Sequence, residues 1–174
     1  MHAHDPFGEL NPICGSNEPQ HKHSFGAINL IRGCLGAVAR KNILLVCEDH
    51  KYGWDDEEAA ESVHRQLTIE GANVTKIIVG LPTNKPNMAV KSAMQEADEV
   101  IFFARLGDQG RFNSHYSECS SIMSYALNTF MLESDYGTLD HGEMCKLKKA
   151  IDNITLSANT VVVTCPLGTH FAGS

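Results

Sequence analysis

The chain has 174 residues, 43% of them hydrophobic and 20% charged, with a formal net charge of −7. These totals provide one domain's worth of core and exclude a collagen-like or disordered chain. The acidic balance argues against nucleic acid as the main partner, because the only basic cluster is Lys146, Lys148 and Lys149 on one helical stretch, read as a solvated face.

Apolar runs such as Val100–Ala104 are far too short to cross a bilayer, so no membrane partner is expected. The start, Met1-His-Ala-His-Asp-Pro, lacks the basic flank and apolar stretch of a signal peptide, which implies a cytoplasmic chain. Six cysteines are scattered without C-x-x-C spacing and are expected to be reduced there.

Residues 1–25 form a polar arm with Pro6, Pro12, Pro19 and four histidines, followed by a single α/β domain over 26–174. Ile28, Ile31, Leu35 and Val38 keep helical spacing, although Gly33 and Gly36 weaken a helix there. Ile43–Cys47 is a continuous branched apolar run that suits a strand buried on both faces, and it ends in Glu48-Asp49-His50. A helix over 57–70 carries Ala59, Ala60, Val63 and Leu67 on one stripe. Asp55 with Glu58 resembles its capping box, and Gly71 its stop.

A second strand covers 73–79, and Asn87 opens a helix bearing Ala89, Val90, Ala93, Met94 and Ala97. The third strand, 99–104, leads into a polar loop from Arg105 to Arg111. The spacing of Tyr116, Cys119, Ile122, Met123 and Ala126 then predicts a helix. A fourth strand is expected over 129–132. A helix capped by Asp140 follows, lined by Met144, Leu147, Ile151 and Ile154, and a fifth strand covers 160–164. Strands alternating with helices imply right-handed crossovers and a mostly parallel five-stranded sheet, in a Rossmann-like or flavodoxin-like three-layer sandwich.

Open α/β sheets bind ligands at the carboxyl ends of their strands, near the reversal of strand order. If strands one and three are neighbours, Glu48, Asp49 and His50 face Arg105, Asp108 and Gln109, with Arg111 and His115 following. Two arginines flanking glycines could clamp a small carboxylate or phosphate. The plainer alternative is an ion pair of Arg105 with an acid at a solvated sheet edge.

Several chemistries fail on spacing. There is no G-x-x-x-x-G-K-[ST] loop, and the turn after the first strand reads Glu-Asp-His-Lys-Tyr-Gly rather than G-x-G-x-x-G. A phosphate-receiver site would need an aspartate closing strand three and a lysine after strand five. The chain has Ala104-Arg105 and Cys165-Pro166 there. H-E-x-x-H and G-x-S-x-G are absent, His64 has no second ligand four residues on, and Ser120 and Ser121 are read in helix context. The pairs His2/His4 and His21/His23 sit on the polar arm without an ordered frame, so no metal site is assigned within this chain.

The opening strand Asn42-Ile-Leu-Leu-Val-Cys-Glu-Asp49 is the first of four matching phrases, with Glu70-Gly-Ala-Asn-Val74, Ala97-Asp-Glu-Val-Ile-Phe-Phe103 and Thr164-Cys-Pro-Leu-Gly-Thr169. Together they make residues 41–173 resemble the N-terminal domain of aminopeptidase T-like proteins, a group that includes dihydroxypyridine dioxygenases. The family follows its Gly-Thr turn with aspartate, where this chain has His170. The resemblance implies a metalloenzyme, peptidase or ring-cleaving dioxygenase, acting on a peptide or small-molecule substrate. Its divalent iron, zinc or cobalt would be held C-terminal to the turn. This chain alone would then be a truncated, catalytically silent domain that shapes the substrate cleft, with homo-oligomer formation as a further expectation. The rival expectation is a stand-alone module for a small anionic ligand.

Overall fold

The computed structural model describes residues 24–111 and 119–173, and the side chains of 109–111 are outside that description. The expected arm over 1–25 therefore lies almost entirely outside the described residues, as does His115.

Strand β1 (Asn42–Glu48) is buried along its length after Asn42, as its unbroken apolar run requires. It is flanked in parallel by β2 (Asn73–Val79) and β3 (Glu99–Phe103), and β4 (Ser120–Met123) extends the sheet in the order β2-β1-β3-β4. Alternate residues of the central strands feed two cores. Ile43, Leu45, Cys47, Ile101 and Phe103 pack with α1 (Phe25–Leu30), the π-helical turn Ile31–Leu35 and α2 (Glu57–Ile69). Leu44, Val46, Val100 and Phe102 pack with α3 (Met88–Met94) and with Leu106 of α4 (Arg105–Arg111).

Capping residues set the helix boundaries. Asp56, one residue beyond the expected Asp55, caps α2 by accepting from the Ala59 N–H at 3.1 Å. Asn87 caps α3 by accepting from Ala89 and Val90. At the other end of α2, Gly71 takes a φ of 82°. The N–H groups of Gly71 and Ala72 donate to the Thr68 and Leu67 carbonyls, each at 3.0 Å. Gly71→Ala is expected to cost about 1–2 kcal/mol, because a Cβ in the left-handed region meets the following carbonyl. A urea unfolding midpoint unchanged from the parent would refute that cost.

Three expectations between β3 and Asp135 are corrected. The segment read as a helix through Cys119–Ala126 contains β4. Ile122 packs on one core and Met123 on the other, so what looks like helical spacing serves two faces of a strand. Its first part, including Tyr116, lies outside the described residues. The expected strand over 129–132 is a single helical turn, α5 (Thr129–Leu132), because Asn128 caps it through the Met131 N–H at 2.8 Å and Leu132 is buried. The expected polar loop 105–111 is helix α4, where Leu106 is buried and Gly107 lies so close to Phe102 that a Cβ would come within 2.4 Å of the ring.

After α6 (Asp135–Thr138), Asp140 caps α7 (His141–Ser157) as expected, accepting from Glu143 N–H at 3.0 Å. The strand expected to complete the parallel sheet instead forms a separate antiparallel hairpin of β5 (Val161–Thr164) and β6 (His170–Gly173), turned by Cys165–Thr169. The parallel sheet thus has four strands among the described residues, not five. No residue of α7 is buried, and its stripe of Leu147, Ile151 and Ile154 is exposed together with Val162, Val163 and Phe171 of the hairpin. Among the described residues, no helix is long and apolar enough to cross a membrane.

Candidate functional site at the strand ends

Because β1 lies between β2 and β3, successive crossovers leave β1 in opposite directions, and a crevice opens at the carboxyl ends of β1 and β3. Glu48 ends β1 and Arg105 begins α4 directly after β3, so the topology alone brings them together. The Glu48 side chain is wholly buried. Its carboxylate accepts from Arg105 Nε at 3.0 and 3.1 Å, from Arg105 Nη2, and from the Arg105 backbone N–H at 3.2 Å. The Arg105 guanidinium also lies 5.2 Å from the Trp54 ring centroid, within cation–π range. The expected surface pair is therefore real, but its acid is buried rather than solvated.

On the β2 side of β1, a cavity of about 180 Å³ is lined by Glu48, Asp49, His50, Asp55, Glu57 and Lys76, over a floor that includes Cys47. Burial pushes the Cys47 thiol up to about 12, so it serves as a small apolar group. Asp49 accepts from Lys51 N–H at 3.1 Å and pairs with Lys51 Nζ at 2.6 Å, and the Lys51 hydrogen bonds hold its carboxyl below the ordinary range. Glu57 reaches Lys76 at 3.4 Å and His50 at 4.0 Å.

Asp55 stands apart from these pairs. Its Oδ1 is buried without a hydrogen-bond partner, as is Trp54 Nε1. Burial, followed by repulsion from Glu48, raises its carboxyl to about 6. The cavity thus combines paired acids with one acid that changes charge near neutrality.

Of the residues expected here, Glu48, Asp49, His50 and Arg105 come together. Asp108 faces elsewhere on α4, accepting from the Tyr125 hydroxyl at 2.7 Å. The side chains of Gln109 and Arg111, and His115 entirely, lie outside the described residues. Sequence patterning missed Trp54, Asp55, Glu57 and Lys76. A signal was available, since the only tryptophan of the chain stands next to an aspartate in the turn that follows β1.

A larger groove of about 790 Å³ lies away from the strand ends, between α1, the π-helical turn and the start of α7. Among the described residues, no group of three or more His, Cys, Asp or Glu is placed to hold a metal ion. Compared with known protein families, curated proteins and solved structures, the chain matches none.

Proposed function

We propose that this chain is a flavodoxin-like, three-layer α/β domain of an aminopeptidase-like metalloenzyme, peptidase or ring-cleaving dioxygenase, whose iron, zinc or cobalt is held by residues outside this domain. The observation that carries the proposal is the exposed apolar side chains of α7 and of one face of the β5–β6 hairpin, where Leu147, Ile151, Ile154, Val163 and Phe171 are each at least half exposed. A two-stranded hairpin is marginal by itself in water, and apolar side chains left exposed in this number on one helix and one hairpin are commonly covered by a further folded body. The strand order β2-β1-β3-β4 supports the flavodoxin-like part of the proposal.

The chemistry of the crevice also favours a peptide over a small anion. Arg105, the main candidate for an anion clamp, is committed to buried Glu48. The neighbouring cavity presents four acids against Lys76 and His50 and would favour the ammonium of a peptide amino terminus.

The test is to read the native gene past codon 174 and express whatever it encodes. A continuing frame with clustered His, Glu and Asp, whose product binds a divalent metal and cleaves aminoacyl anilides or opens a dihydroxypyridine ring, is the expected result. A stop codon at that point, with the chain sedimenting as a dimer through the α7 face, would replace the proposal with a self-associating module.

A further inference from the structure

Cys34, His141 and Cys145 meet where the π-helical turn touches the first turn of α7, away from the strand-end crevice. Cys145 Sγ lies 3.4 Å from His141 Nε2, and Cys34 Sγ lies 3.9 Å from Nδ1 of the same ring. The meeting depends on Gly33. A Cβ there would come within 2.5 Å of His141 Cβ, so only glycine lets the turn and the helix approach this closely. π-helical turns concentrate at functional positions, and this one places Cys34 against a helix that is otherwise unburied. Both cysteines are exposed, in contrast to Cys47, and the 790 Å³ groove lined by Arg32, Gly33 and His141 opens onto the same spot.

We infer that Cys34 and Cys145 form a redox-reactive thiol pair, with His141 in contact with both, that closes to a disulfide by exchange with a low-molecular-weight disulfide. Cys145, nearer the imidazole, gives its proton to His141 and attacks one sulfur of the small disulfide. That S–S bond breaks, one small thiol leaves with a proton, and a mixed disulfide remains on Cys145. His141, neutral again, takes the Cys34 proton, Cys34 attacks the Cys145 sulfur, and the second small thiol leaves with that proton. The two protein thiols are oxidised by two electrons, and the small disulfide is reduced to two thiols. Burial, and then the charge of Cys145, raise the Cys34 thiol, which disfavours Cys34 as the first attacker and leaves it to the intramolecular second step.

Closure requires the imidazole to swing aside so that the sulfurs reach bonding distance, about 2 Å. His141 and both cysteines are exposed, which leaves the imidazole room to turn toward solvent. The bond would fasten α7 to the core where it meets the π-helical turn. An open pair leaves the apolar face of α7 free to reposition.

The experiment treats the whole chain with oxidised glutathione at neutral pH, followed by non-reducing peptide mapping by mass spectrometry. The expected main product is lighter by two hydrogens, with Cys34 linked to Cys145 and Cys47 unmodified. Cys34→Ser should stop at one glutathione on Cys145. His141→Gln should slow the first step on the order of tenfold at neutral pH and approach the parent rate at alkaline pH, where the thiol ionises without a base. A purely structural His141 would leave the shape of that pH profile unchanged. Separate glutathione adducts on Cys34 and Cys145 without a bridge, or a bridge from either to Cys14, Cys119 or Cys165, would overturn the inference.

Discussion

Glu48→Ala is expected to destabilise the protein by about 3 kcal/mol, read as a lower urea midpoint with an unchanged slope. Glu48 is wholly buried, and its two oxygens accept from the Arg105 side chain and from the first backbone N–H of α4. Alanine removes every one of these acceptors and leaves the guanidinium facing the end of β1. The guanidinium keeps the Trp54 face and remains about a third exposed, so the loss falls at the lower end of the range for broken buried pairs. Glu48→Gln retains one acceptor in nearly the same shape and should cost only about 1 kcal/mol. A Glu48→Ala protein as stable as the parent would mean that the pair is not formed in solution. The crevice would then hold a free arginine, and the anionic-ligand reading would regain its ground.

The central sheet was legible because its strands carry their signal locally. Ile43–Cys47 and Val100–Phe103 are apolar on both faces, and that pattern has few other homes than the middle of a parallel sheet. Two helix caps were legible for a similar reason, since Asn87 and Asp140 act on amides two or three residues away, whereas at α2 the cap is Asp56 rather than the expected Asp55. The failures share a different cause. In β4, Ile122 and Met123 serve opposite cores, and nothing within four residues reveals two faces where a helix would need one. Thr129–Leu132 has the composition of a strand, yet one capping bond from Asn128 and the burial of Leu132 outweigh that propensity. For β5, the local strand assignment holds, but pairing with β6 rather than with the sheet is a long-range choice that the Cys165–Thr169 turn makes.

The site was legible to the extent that topology determines it. Once β1 and β3 are neighbours, Glu48 and Arg105 must meet, but the sequence pattern left strand order open and the adjacency is seen only in the sheet itself. What escaped is the depth of Glu48 and the part played by the 310 turn His50–Tyr52. That turn, with Gly53 at a φ of 67°, swings Trp54 and Asp55 back over the strand end. Reversals of this kind depend on a few dihedral angles and leave no periodic trace in the residues.

Asp55→Asn is expected to abolish a fall in stability that the parent shows between about pH 4 and pH 6. The Asp55 carboxyl is raised from 3.8 to about 6, first by burial and then by Glu48. Across that window the folded state holds a proton that the unfolded chain has lost. Stability therefore decreases as pH rises through the folded value, and above it the ionised carboxylate remains a standing penalty on the fold. Asparagine removes the titration, so the variant should match or exceed the parent at pH 7. Glu48→Gln should lower the Asp55 titration only in part, since burial is the larger cause. Urea midpoints measured across pH, with carbon NMR titration of the Asp55 carboxyl, check both statements. Parallel stability profiles for parent and Asp55→Asn would show that Asp55 is solvated in the fold. Divergent profiles would place a carboxyl that changes charge near neutrality inside an acidic cavity, in position to exchange a proton with an amine-bearing ligand.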